Sequence, residues 1–149
     1  MKQNKHKIRR MILVICVILL AAWFVYEYVD SQPLPLRTAE ALEMRDELKA
    51  EHPELTKLTM EFRFPYKVDI RFYSDKWNAH QKEALVQSVQ EKIQDPAFWD
   101  AFVSLHERRY GTEYREQRGE ASVVMNFYEN GESVPVYFQS VKFPESAAE

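Results

Sequence analysis

The chain has 149 residues, a net charge of −3 and a single cysteine. Residues 1–30 sum to +3 and residues 31–149 to −6, and no Lys/Arg stripe offsets the acidic part, so nucleic acid is excluded as a partner. Cys16 alone permits neither an intramolecular disulfide nor a cysteine-based zinc site.

The chain opens on a basic tail, residues 1–10, carrying Lys2, Lys5, Lys7, Arg9 and Arg10. Met11 to Tyr26 then runs sixteen residues without a charge. At about 1.5 Å per residue that gives a helix of roughly 24 Å, whereas a bilayer core needs about 30 Å. The span is complete if the helix continues through Glu27, Tyr28 and Val29, with Trp23, Tyr26 and Tyr28 as an aromatic belt at the interface. Residues 11–29 are therefore expected to be a transmembrane signal-anchor helix, with the lipid bilayer as its partner.

A cleaved signal peptide is the alternative, and it would leave a secreted domain. Cutting after Ala21 or Ala22 would place Leu19 or Leu20 at −3, where a small residue is wanted, and Trp23-Phe24-Val25 prolongs the apolar run past either cut. Cys16 follows Ile15, which does not suit a lipoprotein site. The basic tail before the helix orients the N terminus to the cytoplasm and the remainder outside it, in a cell membrane.

Residues 30–37 read as a Pro-containing linker, in which Pro33 and Pro35 favour extended backbone. Residues 38–149 are expected to form one extracytoplasmic α+β domain. Its two Trp, six Tyr and eight Phe supply core enough without disulfides.

Thr38 is a candidate N-cap for a helix to about Ala50, with Ala41, Met44 and Leu48 as its apolar stripe. Two alternating runs follow, Leu58 to Phe64 and Val68 to Tyr73. A three-residue loop at Pro65-Tyr66-Lys67 would pair Phe62 with Ile70 and Met60 with Phe72, and would set Arg63 opposite Asp69 and Glu61 opposite Arg71.

Asn78 with Gln81 spells a capping box for a helix to about Gln94, and Asp95-Pro96 an N-cap and N1 for another that Gly111 stops. Asn130-Gly131 marks a second hairpin. A two-residue loop there would pair Phe127 with Val134, Met125 with Val136 and Val123 with Phe138, leaving Pro135 at a sheet edge. The order α-β-β-α-α-β-β predicts a mainly antiparallel four-stranded sheet covered by helices on one face.

Chemical motifs are absent. His80 and Glu83 share a helix face at i,i+3 but have no evident third ligand, and His106 follows Trp99, Phe102 and Val103 as a packed histidine would. There is no G-x-S-x-G, phosphate loop or H-E-x-x-H, so neither a cofactor nor a metal is expected. The uncovered sheet face is the stronger candidate. Arg63, Arg71, Tyr73, Tyr128 and Tyr137 on it have the Tyr/Arg character of protein interfaces. The expected function is an interaction or assembly module of the cell envelope, binding an envelope protein or a second copy of itself. A small membrane-tethered carboxylate hydrolase is the alternative.

Overall fold

The computed structural model describes residues 2–143. Met1 of the expected tail and residues 144–149 of the expected domain lie outside these, as do the side chains of residues 2–7, 9 and 30. The chain divides into two units, Met1–Gln32 and Pro33–Glu149.

In the first unit a single helix, α1, spans Lys2–Asp30. Its stretch Arg10–Val29 is 20 residues long and apolar enough to cross a membrane. At about 1.5 Å per residue it matches a hydrocarbon core of about 30 Å. A membrane anchor and a signal sequence share this character. The helix continues through Glu27, and its end is closed by Ser31 N–H donating to the Glu27 carbonyl at 3.0 Å.

The second unit is a mixed α+β domain. Its elements are β1 (Leu34–Pro35), α2 (Ala39–Glu51), β2 (Lys57–Arg63), β3 (Lys67–Ser74), α3 (Ala79–Lys92), α4 (Pro96–Tyr110), a 3-10 segment (Arg115–Glu120), β4 (Ser122–Glu129) and β5 (Tyr137–Lys142). The expected linker 30–37 is thus partly sheet, because β1 pairs with β2. The helix starts follow local chemistry. The Thr38 hydroxyl accepts from Ala41 N–H at 3.2 Å, Asn78 and Gln81 close a reciprocal capping box, and Asp95 caps a helix that opens on Pro96.

The sheet has five strands in the order β1-β2-β3-β4-β5, and this corrects the expected four. It is also mixed. β3 and β4 run parallel, while the other neighbours are antiparallel. The two helices between β3 and β4 carry the chain back to the starting end, which is what parallel neighbours require.

The first hairpin keeps its predicted faces but not its predicted pairs. Met60 faces Ile70, Phe62 faces Val68 and Arg63 faces Lys67, so the loop is Phe64-Pro65-Tyr66, one residue earlier than expected. A slip of two in pairing preserves the face of every side chain. The earlier loop buries Tyr66 completely, stacked on His106 at 3.8 Å between ring centroids. The charged partners meet diagonally instead of directly: Arg63 Nε lies 2.8 Å from Asp69 Oδ2, and Arg71 Nη2 2.8 Å from Glu61 Oε2.

The second hairpin departs further. Asn130 (φ 45°) and Gly131 (φ 75°) make the expected turn, with Glu132 N–H donating to the Glu129 carbonyl at 2.8 Å. The strand does not resume there. β5 begins at Tyr137, which faces Phe127, while Met125 faces Gln139 and Val123 faces Val141. This is a slip of three from the expected pairs, and an odd slip turns every side chain over. Tyr137, Val141 and Phe143 now face the helices. Phe143 decides the register: it is buried at 7 % exposure among Trp99 (4.8 Å between ring centroids), Phe102 (5.8 Å) and Phe98 (6.1 Å). Seating the Phe143 ring there leaves Val134, Val136 and Phe138, the apolar residues of the other parity, exposed.

All three helices of this unit pack on one sheet face. Ala41, Met44 and Leu48 of α2, Leu85 and Val89 of α3, and Phe98, Trp99 and Phe102 of α4 share one core with Phe62, Ile70, Phe72, Met125 and Phe127. None of these three helices packs on the opposite face.

Candidate interaction face

Strand alternation and register place the uncovered face in rows. The first row crosses Lys57, Tyr73 and Tyr128, and the next Thr59, Arg71, Asn126 and Phe138. Glu61, Asp69, Val124 and Ser140 make the third, and Arg63, Lys67, Ser122 and Lys142 the last. Four of the five expected residues, Arg63, Arg71, Tyr73 and Tyr128, lie on it. Tyr137 does not. The odd slip of β5 turns it to the covered side, where its ring sits 5.3 Å from that of Phe127 and Lys82 Nζ lies 5.1 Å from it.

The residue that takes its place is Phe138, opposite Asn126 and 67 % exposed. Sequence reasoning missed it because it placed Phe138 in the core opposite Val123.

Tyr73 and Tyr128 are direct partners across the parallel pair, stacked at 5.0 Å with 15° between ring planes. Lys57 Nζ lies 5.2 Å from the Tyr73 centroid. Phe138 is the diagonal neighbour of Tyr128, so an aromatic strip crosses three strands. On the far side Arg63 engages Asp69 through two nitrogens, at 2.8 and 3.3 Å. Asp69 is buried, so Arg63 offsets the cost of a desolvated carboxylate, whereas Arg71–Glu61 lies nearer the surface; both pairs fix the position of a guanidinium group. Val134 and Val136, also exposed, lie in the segment leading into β5.

Two polar clusters lie elsewhere. His106 is fully buried, as expected of a packed histidine, and its Nε2 accepts a hydrogen bond from Tyr66 N–H at 3.1 Å. The acceptor role assigns the ring proton to Nδ1, which meets no hydrogen-bonding partner among the described residues. Burial pushes the imidazole down to about 4, against the opposing pull of the Glu107 carboxylate. Glu107 itself is held down to about 2, chiefly by the hydrogen bond from Arg115 and further by Arg118. This cluster braces the end of α4 against the 3-10 segment and the β2–β3 loop.

The second cluster is a chain of Ser88, His52 and Glu54. Ser88 Oγ lies 3.1 Å from His52 Nε2, and His52 Nδ1 3.3 Å from Glu54 Oε1. The order resembles a hydroxyl–imidazole–carboxylate relay, and no sequence spacing signalled it. Ser88, however, sits well inside α3, where the neighbouring N–H groups are committed to the helix and cannot serve as oxyanion donors. Lys92 joins the same seam through Glu47 at 2.7 Å and Glu51 at 3.0 Å, so these residues fasten α2 to α3. His80 and Glu83 gather no third ligand. No group of three or more metal-binding side chains occurs among the described residues.

A cleft of about 250 Å³ between β1, β2 and α2 is lined by Leu36, Arg37, Leu42, Arg45, Met60 and Glu61, among others. Its one acid, Glu61, is engaged by Arg71. No protein-family model matches the chain, and neither a curated protein nor a solved structure shows significant similarity to it.

Proposed function

We propose that this chain is a membrane-anchored interaction or assembly module of the cell envelope, held by residues 11–29 with its N terminus in the cytoplasm. The α+β domain stands outside and docks through its uncovered sheet face. One observation carries the reading: the aromatic strip Tyr73–Tyr128–Phe138, flanked by Arg63 and Arg71 on the face that α2, α3 and α4 leave uncovered. An exposed Phe138 and the half-buried Tyr73 and Tyr128 beside oriented Arg make the composition that protein interfaces favour.

The test is crosslinking of the full-length chain in its own membranes. Tyr128→Glu combined with Phe138→Glu should abolish the crosslinked product while the far-UV spectrum of the domain is retained. An unchanged product would remove this face from consideration. For the topology, protease added to intact cells should digest the domain, and digestion that requires lysis would contradict the orientation.

The alternative, a tethered hydrolase, draws its support from the Ser88–His52–Glu54 chain. Covalent labelling of Ser88 by a fluorophosphonate, lost in His52→Ala, would establish it. The absence of oxyanion donors beside Ser88 favours the interaction module.

A further inference from the structure

We propose that β5 pairs antiparallel with β5 of a second copy of this chain, about a two-fold axis at Ser140. The proposal rests on the interaction-module reading and adds to the docking face a second contact, at the sheet edge beside it. β5 is the last strand of the sheet, and among the described residues no strand lies beyond it.

Its hydrogen bonding settles which groups are available. Phe143 N–H donates to the Ala121 carbonyl at 3.2 Å, so residues 121 and 143 form a bonded pair. Alternation then turns Tyr137, Gln139 and Val141 toward β4, and directs the N–H and C=O of Phe138, Ser140 and Lys142 outward. The outward set is symmetric about its middle member. Only pairing centred on Ser140 matches all three outward residues with one another: Phe138 with Lys142, Ser140 with Ser140, and Lys142 with Phe138. Each such pair exchanges two backbone hydrogen bonds.

Side-chain chemistry agrees with that register. On the uncovered face each exposed Phe138 ring meets the Lys142 ammonium of the other copy. The domain already makes this kind of pairing twice, at Lys57 with Tyr73 and at Lys82 with Tyr137. A register centred on Lys142 would instead oppose like charges. β5 also contains no acidic residue, whereas β2, β3 and β4 each contain one. In a domain of net charge −6, pairing along β5 therefore sets no carboxylate of one strand against the other. A two-fold contact of this kind closes after two copies and extends the uncovered face into one surface.

The experiment uses the full-length chain in membranes, with Cys16→Ser removing the native thiol. In the proposed register the two Ser140 Cα atoms lie about 5.5 Å apart, within disulfide reach of about 4.4–6.8 Å. Ser140→Cys should therefore form a disulfide dimer under mild oxidation at least tenfold faster than Gln90→Cys, an exposed control on α3. Phe138→Lys, which sets Lys against Lys142, should bring the Ser140→Cys rate down to the control. Adding Lys142→Phe should restore it.

Equal rates for Ser140→Cys and Gln90→Cys would overturn the pairing. So would a Ser140→Cys rate indifferent to Phe138→Lys, or crosslinking of Ser140→Cys to a different protein instead of to itself. A chain that fails these tests yet still loses a partner with Tyr128→Glu would overturn the self-pairing and leave the docking face standing.

Discussion

The two hairpins of the domain are built alike and finished differently. In β2–β3, Phe62, Val68, Ile70 and Phe72 are buried on one side, and on the other Arg63–Asp69 and Arg71–Glu61 pair the charges. In β4–β5, the inner strand is as well buried, with Val123, Met125 and Phe127 in the core. The outer strand leaves Phe138 in water, with Val134 and Val136 exposed just before it. The contrast separates a hairpin whose surfaces are complete from one that ends in an apolar, unpaired edge. Such edges are normally blunted by charge, proline or cover. Here Pro135 and Lys142 blunt the ends and leave the middle open.

Substitutions that should not behave alike test this contrast. The largest effect belongs to the completed hairpin: Phe62→Ala, which removes a ring touching Phe102 and Tyr110, should cost about 3–5 kcal/mol in urea denaturation. Phe143→Ala should approach that value, at about 3 kcal/mol, because its ring fills the space among Phe98, Trp99 and Phe102. A small cost at Phe143 would break the account of why β5 slipped.

Acid should act through His106. Its imidazole is at about 4 in the folded chain and near 6.5 when unfolded. The unfolded state therefore binds the proton first as pH falls, and stability present above pH 6.5 is lost progressively toward pH 4. At about 1.4 kcal/mol per pH unit the loss is about 3 kcal/mol, measurable as a falling denaturation midpoint. His106→Asn should flatten that slope.

Smaller effects follow. Asn78→Ala should cost about 1 kcal/mol, since it opens the capping box of α3. Phe138→Ser should change monomer stability by less than about 0.5 kcal/mol, the range for an exposed site. The distance between the Phe143 and Phe138 results is the sharpest reading of the β5 register.

What the sequence made legible follows the range of the interaction. The caps at Thr38, Asn78 and Asp95 were readable because each is closed within three residues. The faces of β2 and β3 were readable because their slip was even. β5 was not, for a physical reason: Val134, Val136 and Phe138 are apolar on one parity, and Tyr137, Val141 and Phe143 on the other. Alternation cannot choose between two apolar sets. The choice was made by a site for Phe143 in α4, about 40 residues distant in sequence, which no local pattern displays. The Asn130-Gly131 turn formed as expected, yet Glu132 to Val136 separate it from β5, so turn chemistry did not carry the register. The parallel pairing of β3 with β4 joins two hairpins across two helices and was equally invisible. Of the candidate face, alternation placed Arg63, Arg71, Tyr73 and Tyr128 on one side, whereas the Tyr73–Tyr128 stack required the parallel pairing and Phe138 the β5 register.

The central claim is the proposal that a partner covers the face carrying Tyr128 and Phe138 in the cell. Side-chain carbene labelling of the full-length chain, read by mass spectrometry at residue level, tests it most directly. The account predicts that Tyr128 and Phe138 are labelled several-fold less in native membranes than in the dilute purified protein, with Gln90 unchanged between the two. Equal labelling of Tyr128 and Phe138 in both states would contradict it.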